Sequence, residues 1–368
     1  MIYLDNSATT PICIAAKNAI IKHLDDYGNP SSLYSIGQES RKIIENSREI
    51  IANLINAYPN EIYFTSGGSE ANTWISTCKQ KLSSNIEHKS NLSVAVPKSF
   101  KVNSNGIVDM DDFKESIKTF MYYMNPLCVV SCMYVNNEIG TIQPIQEMAE
   151  ICHRNHLDFH TDAVQAISHM KINVKELNCD FLSASGHKFG TPKGVGFLFA
   201  KNNNNLYNLI NGGKQEQSKR PGTENVLGIA AMAAALQQTY NFFEQNSSYV
   251  KELRDYMARE LLQNISGSHL NVSLNNCIDS IISIRFDDVE GSTLVTTCDI
   301  YGLCISAGSA CSEGVKTPSY VLKAIGLSDK EALETIRISI GTQNTKEEID
   351  QAIIIIKNSV QTIRHYKK

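Results

Sequence analysis

Four residues, Ser185-Gly186-His187-Lys188, close a largely apolar run, Cys179 to Ala184, that reads as a buried strand. A lysine at the end of such a strand, set over an apolar pocket, loses hydration. Its pKa falls and its amine becomes a nucleophile for an aldehyde. The plain alternative is a lysine that ends a strand and points into water, and the other candidate residues weigh against it. Asp162 follows the strand Leu157–His160, with Gln165 one turn further on. Ser66-Gly67-Gly68-Ser69-Glu70-Ala71-Asn72 lies between a strand, Glu61–Thr65, and a helix. Its glycines let backbone N–H groups approach an anion, and the helix start adds partial positive charge. It has neither the Gly-Lys-Ser/Thr of a nucleotide loop nor a dinucleotide fingerprint, and read alone it is a strand-to-helix turn. Cys311 sits in Ser306-Ala307-Gly308-Ser309-Ala310-Cys311-Ser312-Glu313-Gly314, small residues that cannot fill a core but can move. A cysteine there is accessible and can ionise, unlike Cys128, Cys132, Cys179 and Cys298 in their apolar runs.

The elements that must position these groups alternate. Helices are expected over Cys13–Tyr27, Ser35–Ile55, Val108–Phe120, Ile145–Asn155 and Val226–Glu244, and the helix that opens after Gly68 is expected to continue through Trp74 to Leu82. Strands are expected at Glu61–Thr65, Leu127–Val135, Leu157–His160, Cys179–Ser185 and Gly194–Ala200. The alternation implies an α/β fold with a mostly parallel, doubly wound sheet. Functional groups in such a sheet gather at the carboxyl ends of strands, where Ser69, Asn137, Asp162, Gln165, Ser185 and Lys188 all fall. Beyond Glu244 the pattern changes to separated strands and helices. We expect a large domain over 12–245 and a smaller α+β domain formed by 1–11 and 246–368.

The totals are those of an ordinary globular chain. Of 368 residues, 42% are hydrophobic and 20% charged, with a net charge of −4, which gives no reason to expect nucleic acid as a partner. No apolar run reaches the length of a membrane span, and Met1–Asp5 has neither a basic region nor an apolar core, so a cytoplasmic protein without membrane contact is expected. None of the ten cysteines forms a C-x-x-C pair, and no metal site is expected.

An enzyme of pyridoxal phosphate needs a lysine for the aldehyde, a carboxylate on the pyridine nitrogen, a phosphate cradle and a ring stacked on the cofactor. Lys188, Asp162, the Gly67–Asn72 turn with Ser185, and His88 supply these types. With Tyr3 to Pro11, Gly28-Asn29-Pro30-Ser31-Ser32, Glu87-His88-Lys89, Val135 to Gly140, Arg220 to Val226 and Pro318 to Leu322, the chain resembles the cysteine desulfurases of the NifS/IscS type, among the class V aminotransferase-like enzymes, nearly end to end. The resemblance implies the type I fold of pyridoxal phosphate-dependent transferases. It implies that Lys188 carries the cofactor and moves the Cα proton, and that Asp162 pairs with the pyridinium. Gln165 and Asn137 would contact the ring oxygen; Gly68, Ser69, Ser185 and His187 would bind the phosphate; and His88 would stack on the ring and act as acid or base. Thr223 would reach the phosphate of the other subunit of a homodimer. Arg337 would hold the substrate carboxylate, with Asn137 and Asn6 beside it. Cys311 would take the sulfur of L-cysteine as a persulfide, leaving alanine, and pass it to an acceptor protein such as an iron–sulfur scaffold or a tRNA-thiolation enzyme.

The stretch 73–105 is shorter than in the resembled family on both sides of Glu87-His88. A selenocysteine lyase, a cystine or cysteine β-lyase, or a non-catalytic scaffold for sulfur acceptors are the alternatives. Cys311 argues against the β-lyase, and Lys188 together with Cys311 against the scaffold.

Overall fold

A computed structural model describes residues 1–92, 99–123, 128–201, 206–307, 311–312 and 315–366. An N-terminal arm contains β1 (Ile2–Tyr3) and leads to α1 (Ile14–His23) and α2 (Ser35–Leu54). The larger sheet is built from β2 (Ile62–Thr65), β3 (Gln80–Ser83), β4 (Cys128–Ser131), β5 (Asp158–Asp162), β6 (Phe181–Ser185) and β7 (Gly196–Ala200), in the order β2-β7-β6-β5-β4-β3. The pairings β3–β4, β4–β5 and β5–β6 are parallel, whereas β7 runs against both its neighbours. β2, β4, β6 and β7 are buried along their whole length, as expected of a sheet covered on both faces. The helices α3 (Gly68–Cys78), α4 (Met110–Tyr123), α5 (Ile145–Arg154) and α6 (Val174–Leu177) follow successive strands, and α7 (Val226–Asn241) packs on α1 and α2. The sheet is thus α/β and mostly parallel, as expected.

α8 (Phe243–Asn264) crosses to a second layer, so residue 245 falls in its first turn. There, β8 (Ser268–Leu270), β9 (Ile281–Phe286), α9 (Gly291–Ile300), β10 (Leu303–Cys304) and β11 (Ser306–Ala307) precede a short hairpin of β12 (Cys311–Ser312) and β13 (Val315–Lys316). α10 (Tyr320–Ala324), α11 (Asp329–Leu333), β14 (Thr335–Ser339) and α12 (Lys346–Tyr366) complete the chain. The second sheet is antiparallel, β11-β14-β9-β8. The arm lies beside it: β1 pairs with β10 in a separate two-stranded sheet, and Asp5 bridges Ser339 at the end of β14. One hydrophobic core lies around the large sheet, including Phe64, Val130, Phe159 and Leu182. A second gathers Leu4, Met257, Ile284, Ile338 and Ile356 around the small one. Val321 and Leu322 of α10 belong to the first core despite their late place in sequence. Among the described residues no helix is long and apolar enough to cross a membrane.

One expectation fails. The helix after Gly68 does not continue to Leu82; α3 stops at Cys78 and Gln80–Ser83 is an edge strand parallel to β4. The polar segment is stabilised as a strand by buried polar partners that lie outside it. Lys79 is buried and ion-paired with Asp158 at 2.6 Å, and Lys81 is buried with its ammonium on Ser76 Oγ and Asn91 Oδ1.

Candidate active site

The ends of β2, β4, β5 and β6 and the arm converge on a cavity of about 330 Å³. Gly68, Ser69, His88, Asn137, Asp162, Gln165, Ser185, His187, Lys188 and Arg337 all line it, with Ser7, Ala8, Asn72, Ser90, Met133 and Val164. At one wall, β2 turns into α3 through Gly67, whose φ of 151° is open to glycine and strained for other residues. The first turn of α3 therefore presents its unpaired backbone N–H groups beside Ser185 at the end of β6. The turn is tied from outside: Glu70 accepts from Ser66 N and from Arg220 Nε at 2.9 and 2.7 Å. Burial pushes the Glu70 pKa up, but the hydrogen bonds from Arg220 and Ser66 prevail and hold it low.

Lys188 lies just past β6, in the single turn Gly186–Lys188. Its Nζ donates to two carbonyls of the arm, Ser7 O at 2.6 Å and Ala8 O at 2.9 Å. Burial, with the nearby Arg337 charge, brings its pKa down to about 8 against the opposing pull of Asp162 and Asp5. Gln165 Nε2 donates to the same Ser7 carbonyl at 2.9 Å. Asp162 is 4% exposed and oriented by two donors, Asn72 Nδ2 on Oδ2 at 2.6 Å and Val164 N on Oδ1 at 2.9 Å. His187 contacts Thr9 Oγ1 at 3.2 Å, and burial, then Lys188 and Lys193, push its pKa down to about 4, leaving it neutral. The exposed His88 ring meets Ser90 Oγ at 2.8 Å through Nδ1, and Ser90 Oγ in turn accepts from Asn72 Nδ2. Arg337 reaches in from β14, donating to Asp5 Oδ1 and Asn137 O at 2.7 Å each; its buried Nε has no partner among the described residues.

Two expected residues stand elsewhere. Asn6 lines a second cavity of about 350 Å³ behind Lys188; its amide donates to Ser339 O and its carbonyl accepts from Gln343 Nε2. Thr223 is exposed and does not line the first cavity. Cys311 lies in β12 opposite Lys316, and its side chain lies outside the described part of the structure.

Chemically the cavity joins a primary amine of lowered pKa, an oriented carboxylate, an anion cradle and a guanidinium with a free donor. The family model for class-V aminotransferases matches residues 2–352. The chain belongs to the class-V aminotransferase family. Relatives among class-V aminotransferases include the cysteine desulfurase IscS of Dictyoglomus turgidum, 38% identical over 384 residues, covering 99% of this chain and 95% of that one. The mitochondrial cysteine desulfurase of Saccharomyces cerevisiae is 35% identical, with 99% of this chain and 76% of that one covered. A solved NifS-like protein from Rickettsia africae superposes with a TM-score of 0.90 at 30% identity, covering 98% and 99% of the two chains. SspA in complex with cysteine does so at 0.78 and 30% identity, covering 94% and 100%.

The cavity also gathers residues that spacing did not single out. Asn72 joins Asp162 to the Ser90–His88 pair, and the Ser7 and Ala8 carbonyls hold the lysine. Asn72 stood inside the glycine turn, where its side chain had no assigned task. Backbone carbonyls leave no signal in a sequence.

Proposed function

We propose that the protein is a cysteine desulfurase, converting L-cysteine to L-alanine with pyridoxal phosphate as its cofactor. The observation that carries this reading is the lowered-pKa amine of Lys188 sharing one cavity with the oriented carboxylate of Asp162 and the α3 N-terminus. That donor set fits the cofactor. Gly68, Ser69, Ser185 and His187 would hold its phosphate, Asp162 its ring nitrogen, Gln165 and Asn137 its ring oxygen, and His88 one face of the ring. When bound, it supplies an electron sink for negative charge developing at the substrate Cα.

The chain's own groups do the rest. Lys188 carries the cofactor and moves the Cα proton, which an amine with a pKa near neutrality can both accept and return. The free Nε donor of Arg337 supports a charge-assisted bond to the substrate carboxylate. Cys311 takes the sulfur: its thiolate forms an S–S bond to the substrate sulfur as the C–S bond breaks. The resulting persulfide passes to an acceptor protein, of which an iron–sulfur scaffold or a tRNA-thiolation enzyme are the classes considered. Asn6 is left out, since both ends of its amide are engaged on the far side of Lys188. In this reading the working form is a cytoplasmic homodimer, in which Thr223, exposed in the single chain, would reach the phosphate site of the second subunit.

The test is to incubate the cofactor-loaded protein with L-cysteine and a thiol reductant, and to quantify alanine, pyruvate and sulfide beside Cys311→Ala. Equal alanine and sulfide, lost in the variant, are expected. Pyruvate with sulfide, indifferent to the substitution, would replace this reading with a β-lyase.

A further inference from the structure

Among the described residues the His88 ring is held through Nδ1 by its own turn, where Ser90 meets it with Oγ at 2.8 Å and with its backbone N–H at 3.2 Å. Where the ring stands is therefore set by the backbone of 84–92, and that backbone is fastened from below by a buried polar cluster. Glu87 is fully enclosed. Its Oε1 accepts from Ser84 Oγ at 2.5 Å and from Met133 N at 2.8 Å, and its Oε2 from Asn91 Nδ2 at 2.5 Å. Asn91 Oδ1 accepts from Lys81 Nζ at 2.8 Å, while Nδ2 also donates to Ser131 Oγ at 2.8 Å. The cluster continues across β4, β5 and β6, since Ser131 Oγ meets His160 Nδ1 and His160 Nε2 meets Ser183 Oγ, at 2.7 and 2.9 Å. Among Lys81, Asn91 and Glu87 the polarity of each bond is set by its neighbours. Asn91 can only present its NH2 to Glu87 and its oxygen to the lysine.

We propose that Glu87, Asn91 and Lys81 are positioning residues that hold the His88 turn in register with the cavity. An apolar plug would fill the same volume at less cost than a buried carboxyl and a buried ammonium joined by one amide, so directionality is what the cluster adds. Burial pushes Glu87 up to about 7 and Lys81 down to about 8, the marks of two groups confined with little solvent. The proposal rests on the reading of His88 as a cavity-facing residue of the desulfurase site.

The test exchanges donor and acceptor. Glu87→Gln keeps the shape but sets one amide donor against another. Adding Asn91→Asp turns the pair round: the carboxylate now stands beside Lys81 and accepts from Gln at 87 and from Ser131. The readouts are the His88 resonance in histidine-labelled, cofactor-loaded protein, assigned by its loss in His88→Asn, together with kcat and KM for L-cysteine. In Glu87→Gln the resonance should broaden or double and kcat fall about 10-fold, with KM within about twofold, the scale of one buried hydrogen bond lost from the reacting geometry. The double variant should return one resonance and bring kcat to within about threefold of the parent. Lys81→Met, which keeps the stem and removes the donor, should move the resonance in the same direction and serves if Glu87→Gln does not fold. An unmoved resonance and unchanged kcat in Glu87→Gln or Lys81→Met overturn the proposal, as does a folded double variant that recovers neither. If the parent itself makes no alanine from L-cysteine, the desulfurase reading fails separately, and the resonance still decides the positioning.

Discussion

The state of Lys188 can be tested without cofactor or substrate. With its pKa at about 8, the amine is neutral in about 9% of molecules at pH 7.0, against about 0.03% for a lysine at its ordinary 10.5, a ratio of about 300. Reactivity toward a trace acylating reagent follows the neutral fraction, so Lys188 labelling should rise from pH 6 and level off above pH 9 with a midpoint near 8. A lysine at the ordinary value of 10.5 would still be climbing at pH 10. Burial is the first cause of the shift and Arg337 the second, so Arg337→Gln removes a neighbouring positive charge, favours the protonated amine and moves the midpoint upward. The measurement is competitive labelling with isotopic acetic anhydride, read peptide by peptide by mass spectrometry across pH 6–11. A Lys188 midpoint near 10 in the parent protein would refute the claim that burial activates the amine. A midpoint unmoved by Arg337→Gln would refute the assignment of that charge.

His187, pushed down to about 4 by burial and then by Lys188 and Lys193, gives up its proton below the working range. Its ring resonances should show no titration between pH 5.5 and 9, and a midpoint near 6.5 would refute this. Gly68→Ala places a Cβ 2.6 Å from Val164 Cγ2 at the cradle; the clash should cost about 1–3 kcal/mol in thermal or urea unfolding and weaken cofactor binding, with Val164→Ala relieving both. Arg48 and Glu216 form a buried two-pronged pair at 2.9 and 2.7 Å, and Glu216 also accepts from Phe64 N in β2 at 2.8 Å. Arg48→Met leaves that carboxylate unpaired and should lower unfolding stability by about 3–5 kcal/mol, whereas Arg48→Met with Glu216→Gln should cost less.

The large sheet was legible because its central strands are continuous apolar runs, and burial on both faces demands such runs. The Gly67-Gly68 turn was legible because few residue types can make so tight an entry to a helix, and Lys188 because it follows such a strand directly. β3 was not legible. Gln80-Lys81-Leu82-Ser83 lacks an apolar period, and its burial depends on Asn91 and Ser76 reaching the Lys81 ammonium. Hydrophobic periodicity reports apolar groups leaving water and is blind to a polar group that leaves water with a partner.

By itself, then, the sequence determined which groups are available and the order in which strands deliver them: Lys188, Asp162 and the Ser66–Asn72 turn are named by type and local setting, and Arg337 by the family resemblance. Only the tertiary structure decided their partners. Asn72 meets Asp162 across 90 residues, Lys188 donates to carbonyls 181 and 180 residues away, and Asn6 turns to Ser339 and Gln343 instead of the first cavity. The reason is physical. A side chain's type limits what bonds it can form, but which bond forms, and how far a pKa moves, is set by the distance, direction and dielectric that the fold creates around it.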